Sequence, residues 1–312
     1  HPMLKLAAIV GPTAVGKTEL SIGLAQKFGG EIISCDSMQV YRGLDLGTAK
    51  ATPAERKLIP HHLIDIVEPN EDFTVADYQK RAQTTIKDIS RRGRLPILVG
   101  GTGLYYQAVV DNYDFFPMES RAAVRQKWEQ VHAERGLAHL YARVLDIDKE
   151  YALKIGQHDK KRIIRALEVY DLTGLPFSES QTRNRHTYHL AAVGLYLERV
   201  ELYARIEARV DRMIAAGLVH EVERLMAQGY DLSLNAMQAL GYKQIYSYLE
   251  GWLTWQETLQ EIKKETRRYS KRQYTWFNKD QRIQWINVAD YTDNSLLLEK
   301  ICEIMEGQWG TV

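Results

Sequence analysis

The chain has 312 residues, enough to bury a full core and to divide into two lobes. Its composition, 45% hydrophobic and 26% charged, is ordinary for a globular protein, and 41 Lys and Arg against 40 acidic residues give no bulk argument for a nucleic-acid partner. The two cysteines lack C-x-x-C spacing, which argues against a disulfide framework or zinc site, and no apolar run approaches a membrane span. With no signal-peptide pattern ahead of the first apolar run, the expectation is a cytoplasmic chain without a membrane partner.

The first element is an apolar run, Leu4 to Val10, that reads as a strand, and Thr18 to Phe28 carries helical spacing. Between them, Gly11-Pro12-Thr13-Ala14-Val15-Gly16-Lys17-Thr18 fits the phosphate-loop pattern G-x-x-x-x-G-K-[ST]. Its glycines let backbone amides and a helix N-terminus face a polyphosphate; Lys17 adds a point charge and Thr18 offers a hydroxyl to Mg2+. The loop does not say which polyphosphate.

Glu31 to Ser34, Leu63 to Val67 and Leu95 to Val99 read as further strands. Val75, Tyr78, Ala82, Ile86 and Ile89 mark a helix between the last two, with Thr74 and Asp77 as its capping box and Gly93 closing it. This alternation predicts an α/β core, a parallel sheet flanked by helices, with ligands at the carboxyl ends of the strands. His61-His62 reads as a surface turn, and Trp252 and Trp255 as packing residues three apart on a helix.

After Tyr113 to Pro117 the pattern turns helical and charged, broken at Gly136, Gly156 and Gly174. The expected organisation is therefore a catalytic core from residues 3–117 and 190–312, with an inserted all-helical domain at 118–189. Residues 191 to 197 read as a returning strand, followed by helices to Phe277, a strand from Arg282 to Val288 and a short helix.

Several segments carry chemistry. Asp36, just past the second strand, suits a general base or a Mg2+ partner, and equally an Asx turn or helix cap. Gly100-Gly101-Thr102-Gly103 suits close approach of a ligand or a plain strand-to-helix turn. Lys160, Lys161, Arg162 and Arg165 cluster on the inserted helices, where a solvated face is the ordinary reading. Arg205, Arg209 and Arg212 line one helix face, and a single inward arginine would fork onto a diphosphate. Between Lys263 and Phe277, six basic residues against one acid, ending in aromatics, give the strongest nucleic-acid signal.

Taken in order, Gly11 to Thr18, Asp36 to Tyr41, Gly47 to Lys50, Gly100 to Tyr105, Arg162 to Glu168, Gly241 to Gln244 and Lys271 to Trp276 resemble the bacterial tRNA dimethylallyltransferases, also called tRNA isopentenyltransferases. The resemblance runs through nearly the whole chain and implies a P-loop NTPase-like core. It implies transfer of a dimethylallyl group from dimethylallyl diphosphate to N6 of the adenosine 3′ to the anticodon, in tRNAs reading codons that begin with U. The enzyme would be a Mg2+-dependent monomer. Gly11, Pro12, Thr13, Ala14, Val15, Gly16, Lys17 and Thr18 would hold the diphosphate, Thr18 the Mg2+, and Thr13 with Arg209 the departing oxygen, while Asp36 would take the proton from N6. The anticodon stem-loop would meet Asp36, Ser37, Met38, Gln39, Thr102, Arg125, Lys161, Arg162, Ile163, Ile164, Arg165, Lys243, Arg268, Lys271, Arg272 and Gln273. Lys243 stands where many relatives have arginine. The competing readings are an adenylate isopentenyltransferase acting on AMP or ADP, a small-molecule kinase, and an RNA-binding protein with a vestigial nucleotide site.

Overall fold

β1 (Leu4–Val10) forms the centre of the molecule's sheet, and Leu6 to Val10 are fully buried because helices cover both sheet faces. The computed structural model describes residues 3–112, 118–179 and 187–310. Tyr113 to Pro117, where the sequence changes character, and the end of the helical stretch at 180–186 lie outside these. The chain divides into two compact units, one containing everything to Val109 and from Tyr188 onward, the other Val110–Thr187.

In the first unit, β1 leads into α1 (Lys17–Phe28), β2 (Gly30–Ser34), α2 (Pro53–Leu58), β3 (His61–His62), α3 (Val75–Arg91), β4 (Leu95–Gly100) and α4 (Gly103–Val110). The capping box predicted for α3 is present, with Thr74 and Asp77 exchanging side-chain to backbone hydrogen bonds. The second unit holds α5 (Met118–Arg135), α6 (Leu137–Ile147), α7 (Lys149–Ile155) and α8 (Lys160–Thr173) around Trp128, Leu140, Val144 and Leu167. Asp148, a break not read from the sequence, ends α6 and caps α7. The chain then gives β5 (Tyr188–Tyr196), α9 (Arg199–Ala215), α10 (Leu218–Ala227), α11 (Tyr242–Leu249), α12 (Trp255–Phe277), β6 (Ile283–Asn287) and α13 (Asn294–Trp309).

The six described strands are all parallel, in the order β3-β2-β4-β1-β5-β6. β4 lies between β1 and β2, so the loops leaving these three strands at their carboxyl ends are neighbours. That is where a doubly wound sheet places its ligand.

Four readings of the sequence are corrected. Leu63 to Val67 is not a strand: Leu63 and Asp65 have φ of 64° and 57°, which breaks an extended chain, and the pairing moves to His61–His62. The His pair is therefore a sheet edge rather than a turn, pinned where His62 Nε2 meets Glu31 Oε1 at 2.7 Å. Trp252 precedes α12 rather than riding on a helix, and it is exposed. The closing helix is 16 residues long, its Trp309 donating to His189 O at 2.9 Å. Among the described residues no helix is long and apolar enough to cross a membrane.

Candidate active site

The loops after β1, β2 and β4 enclose a cavity of about 530 Å³, closed on its other sides by the 47–51 segment, α9 and α12. The phosphate loop forms one wall. Gly16 takes φ 100° before α1, and no side chain caps that helix, so the amides of its first turn are free to face an anion. Lys17 Nζ donates to the carbonyls of Gly11 and Pro12, both at 2.7 Å. Burial first, and the Arg209 guanidinium second, bring the Lys17 ammonium down to about 7, with Asp36 opposing.

Asp36 lies across the cavity. Its Oδ1 accepts from the backbone N–H of Met38 at 2.8 Å and Gln39 at 3.1 Å, so the Asx turn is real. The turn spends one oxygen and fixes the carboxylate; Oδ2 makes no hydrogen bond among the described residues, and the residue lines the cavity. Burial raises its pKa above the usual carboxylate range, against the two backbone bonds, Lys17 and Arg209. The structural and the functional readings of this residue are compatible. The thiol of neighbouring Cys35 is pushed up to about 12 by burial and is inert.

Of Arg205, Arg209 and Arg212 on α9, Arg209 lines the cavity and the other two do not. Burial lowers its pKa, then Arg212, while Asp36 favours the charge. Lys17 and Arg209 thus both face the Asp36 carboxylate, while Glu19, Glu55 and Arg272 line the same cavity.

α12 supplies the remaining wall. Gln273 Oε1 accepts from Thr13 N–H at 3.2 Å and its Nε2 donates to Gly101 O at 3.0 Å. A Cβ at Gly101 would stand 2.1 Å from that Nε2, and one at Gly103 the same distance from the Trp276 ring. These glycines admit α12 itself rather than a ligand. Gln273 is only 5% exposed, so the side chain expected on RNA holds the phosphate loop instead. Tyr269, one turn earlier, lines the cavity and hydrogen-bonds to Thr102, whose Oγ1 accepts from Ser37 N–H at 3.0 Å. Sequence reasoning passed over Tyr269, although its four-residue spacing from Gln273 puts both on one face.

The basic run on α12 is not uniformly available. Lys263 and Arg267 turn to α9, where they meet Asp211 at 3.2 Å and Glu207 at 3.7 Å. Lys264 and Arg268 pair within the helix with Glu261 and Glu265. Lys271 and Arg272 form no ion pair among the described residues, and Arg272 reaches the cavity rim. Lys243 is exposed at the start of α11.

Arg125, Lys161, Arg162 and Arg165 belong to the helical unit. Arg125 and Arg165 meet the buried Glu168 at 3.1 and 3.4 Å, and Arg162 pairs with Asp159. Ile163 and Ile164 are 0% and 1% exposed within that unit's core. Their side chains serve packing, which corrects their assignment as RNA contacts.

The fold and the cavity define a protein of the P-loop NTPase-like class whose phosphate loop shares its site with the half-buried carboxylate of Asp36. The family model described as IPP transferase matches residues 39–280. The tRNA dimethylallyltransferase of Syntrophomonas wolfei is 60% identical over 310 residues, 99% of this chain and all of that protein. A crystal structure of the tRNA isopentenylpyrophosphate transferase of Bacillus halodurans superposes with a TM-score of 0.74 at 43% identity, covering 98% of this chain and 96% of that one. A eukaryotic dimethylallyltransferase acting on tRNA superposes with a TM-score of 0.72 at 28% identity, covering 94% and 77%. The chain belongs to the IPP transferase family.

Proposed function

We propose that the protein transfers a dimethylallyl group from dimethylallyl diphosphate to N6 of the adenosine immediately 3′ of the anticodon in tRNA. The observation that carries this reading is the meeting of the phosphate loop, Arg209 and the half-committed carboxylate of Asp36 in one cavity, with Arg272 of α12 at its rim.

The amides of Ala14 to Thr18, the Lys17 ammonium and the forked Arg209 donors bind the diphosphate, as preorganised donors at the position where leaving-group charge develops. Thr13 and Arg209 lie against the bridging oxygen. N6 of the adenosine attacks the allylic carbon as its bond to that oxygen breaks, and pyrophosphate leaves. The proton that N6 loses passes to Asp36 Oδ2, while the Met38 and Gln39 amides hold Oδ1 in place. The described residues contain no cluster of three or more metal-ligating side chains. Thr18 lines the cavity beside the phosphate loop, and its hydroxyl together with diphosphate oxygens would hold Mg2+, which takes few protein ligands beside phosphate. Bound there, Mg2+ would neutralise part of the leaving charge.

The acceptor base must leave its loop to reach the cavity. Lys271, Arg272 and Arg268 on α12, Lys243 on α11, Ser37, Met38 and Thr102 beside Asp36, and Arg125, Lys161, Arg162 and Arg165 of the helical unit are assigned to the RNA. The test is mass spectrometry of an unmodified anticodon stem-loop incubated with dimethylallyl diphosphate and Mg2+. One prenyl unit on the adenosine 3′ to the anticodon supports the reading, and an unchanged RNA refutes it.

A further inference from the structure

The segment from Asp45 to Thr48, of which Gly47 and Thr48 line the cavity, belongs to no helix or strand, and its backbone is held from outside the site. Glu221, on α10 and 2% exposed, accepts from Asp45 N–H at 3.2 Å and from Leu46 N–H at 3.1 Å. Its Oε2 also accepts from the Tyr242 hydroxyl at 2.5 Å. That hydroxyl in turn accepts from Gly47 N–H at 3.1 Å. Two side chains thus bind three consecutive amides. Gly47 is pressed onto the Tyr242 ring so closely that a Cβ there would fall 2.4 Å from Cε2. Burial keeps the Tyr242 phenol protonated, so it remains a donor to Glu221.

The wall is coupled to Asp36. Gln39 Nε2 donates to Thr48 O at 2.9 Å, its Oε1 accepts from Ser34 Oγ at 2.7 Å, and its backbone N–H is one of the two donors on Asp36 Oδ1. A displacement of Thr48 therefore reaches the Asx turn through one side chain. Neither Glu221 nor Tyr242 lines the cavity.

We propose that Glu221 and Tyr242 are positioning residues for the transfer reaction, setting the 45–48 wall and, through Gln39, the orientation of the Asp36 carboxylate. The inference rests on Asp36 acting as the base. A misplacement of a reacting group by about 1 Å is enough to cost about a hundredfold in rate. Tyr242→Phe removes the hydroxyl and leaves the ring, and Gly47→Ala strikes the same contact from the loop side.

The experiment is steady-state transfer to the anticodon stem-loop by the wild type and both variants, with the melting temperature and hydrogen exchange of the 44–50 peptide measured alongside. Both variants should lose about tenfold to a hundredfold in kcat, with the KM for each substrate within about threefold. Exchange should quicken in the 44–50 peptide while peptides of β1 and β4 keep their protection. A wild-type kcat, a rise in KM alone, or a loss of protection spread over the whole chain would each overturn the proposal. An inactive wild type would instead fall on the proposed function.

Discussion

Gln273 accepts a hydrogen bond from the backbone N–H of Thr13 at 3.2 Å, joining α12 to the phosphate loop across 260 residues of sequence. With Nε2 donating to Gly101 O, one amide ties the phosphate loop to the loop after β4. Replacing it strands a buried carbonyl, which costs about 1–3 kcal/mol. Gln273→Ala should therefore lower the melting temperature and raise the KM for dimethylallyl diphosphate. The salt dependence of tRNA binding should not change. A flattened salt dependence with an unaltered donor KM would return Gln273 to the RNA surface.

Asp36→Asn keeps an oxygen for the Met38 and Gln39 amides and removes the proton acceptor. Single-turnover transfer should slow by about 10²–10⁴-fold, with stem-loop affinity within a few-fold of wild type. A rate near wild type would exclude the base role.

The Lys17 ammonium, brought to about 7 by burial and Arg209, sets a pH dependence for donor binding. Below that value the free site already carries the charge that a diphosphate needs. Above it, binding must recapture a proton, so affinity should fall by up to about tenfold per pH unit as pH rises through the window toward the bound-state value. Calorimetry in two buffers of different ionisation heat should register proton uptake above neutrality and little below it. Equal affinity across the window would contradict the assignment.

The cations of α12 should separate into two classes. Lys271→Ala and Arg272→Ala should each reduce the salt slope of tRNA binding by about one. Lys263→Ala and Arg267→Ala, whose partners are Asp211 and Glu207, should leave the slope unchanged. Filter binding at several salt concentrations distinguishes the classes.

The parallel sheet, the phosphate loop and the helical insert were legible because each writes its signal locally, in an apolar run, a fixed glycine spacing or a 3.6-residue period. Asp36 was singled out by its place after a strand, but the capture of its Oδ1 by the Met38 and Gln39 amides is visible only in the fold. α2 went unread even though Thr52 and Glu55 form the same capping box that revealed α3, because only six residues follow it. β3 was misplaced because its boundary depends on left-handed residues, Leu63 and Asp65, that no pattern announces. The pairing of the α12 cations and the inward turn of Gln273 are tertiary facts. In sequence, a cation facing Glu207 and a cation facing solvent look alike.

The acceptor is the central test of the proposed function. Labelled dimethylallyl diphosphate and Mg2+ should be incubated with an unmodified anticodon stem-loop bearing adenosine 3′ of the anticodon, and in parallel with AMP and with ADP. Label entering the RNA alone is the predicted result. Label entering the free nucleotides, or no acceptor at all, would contradict it.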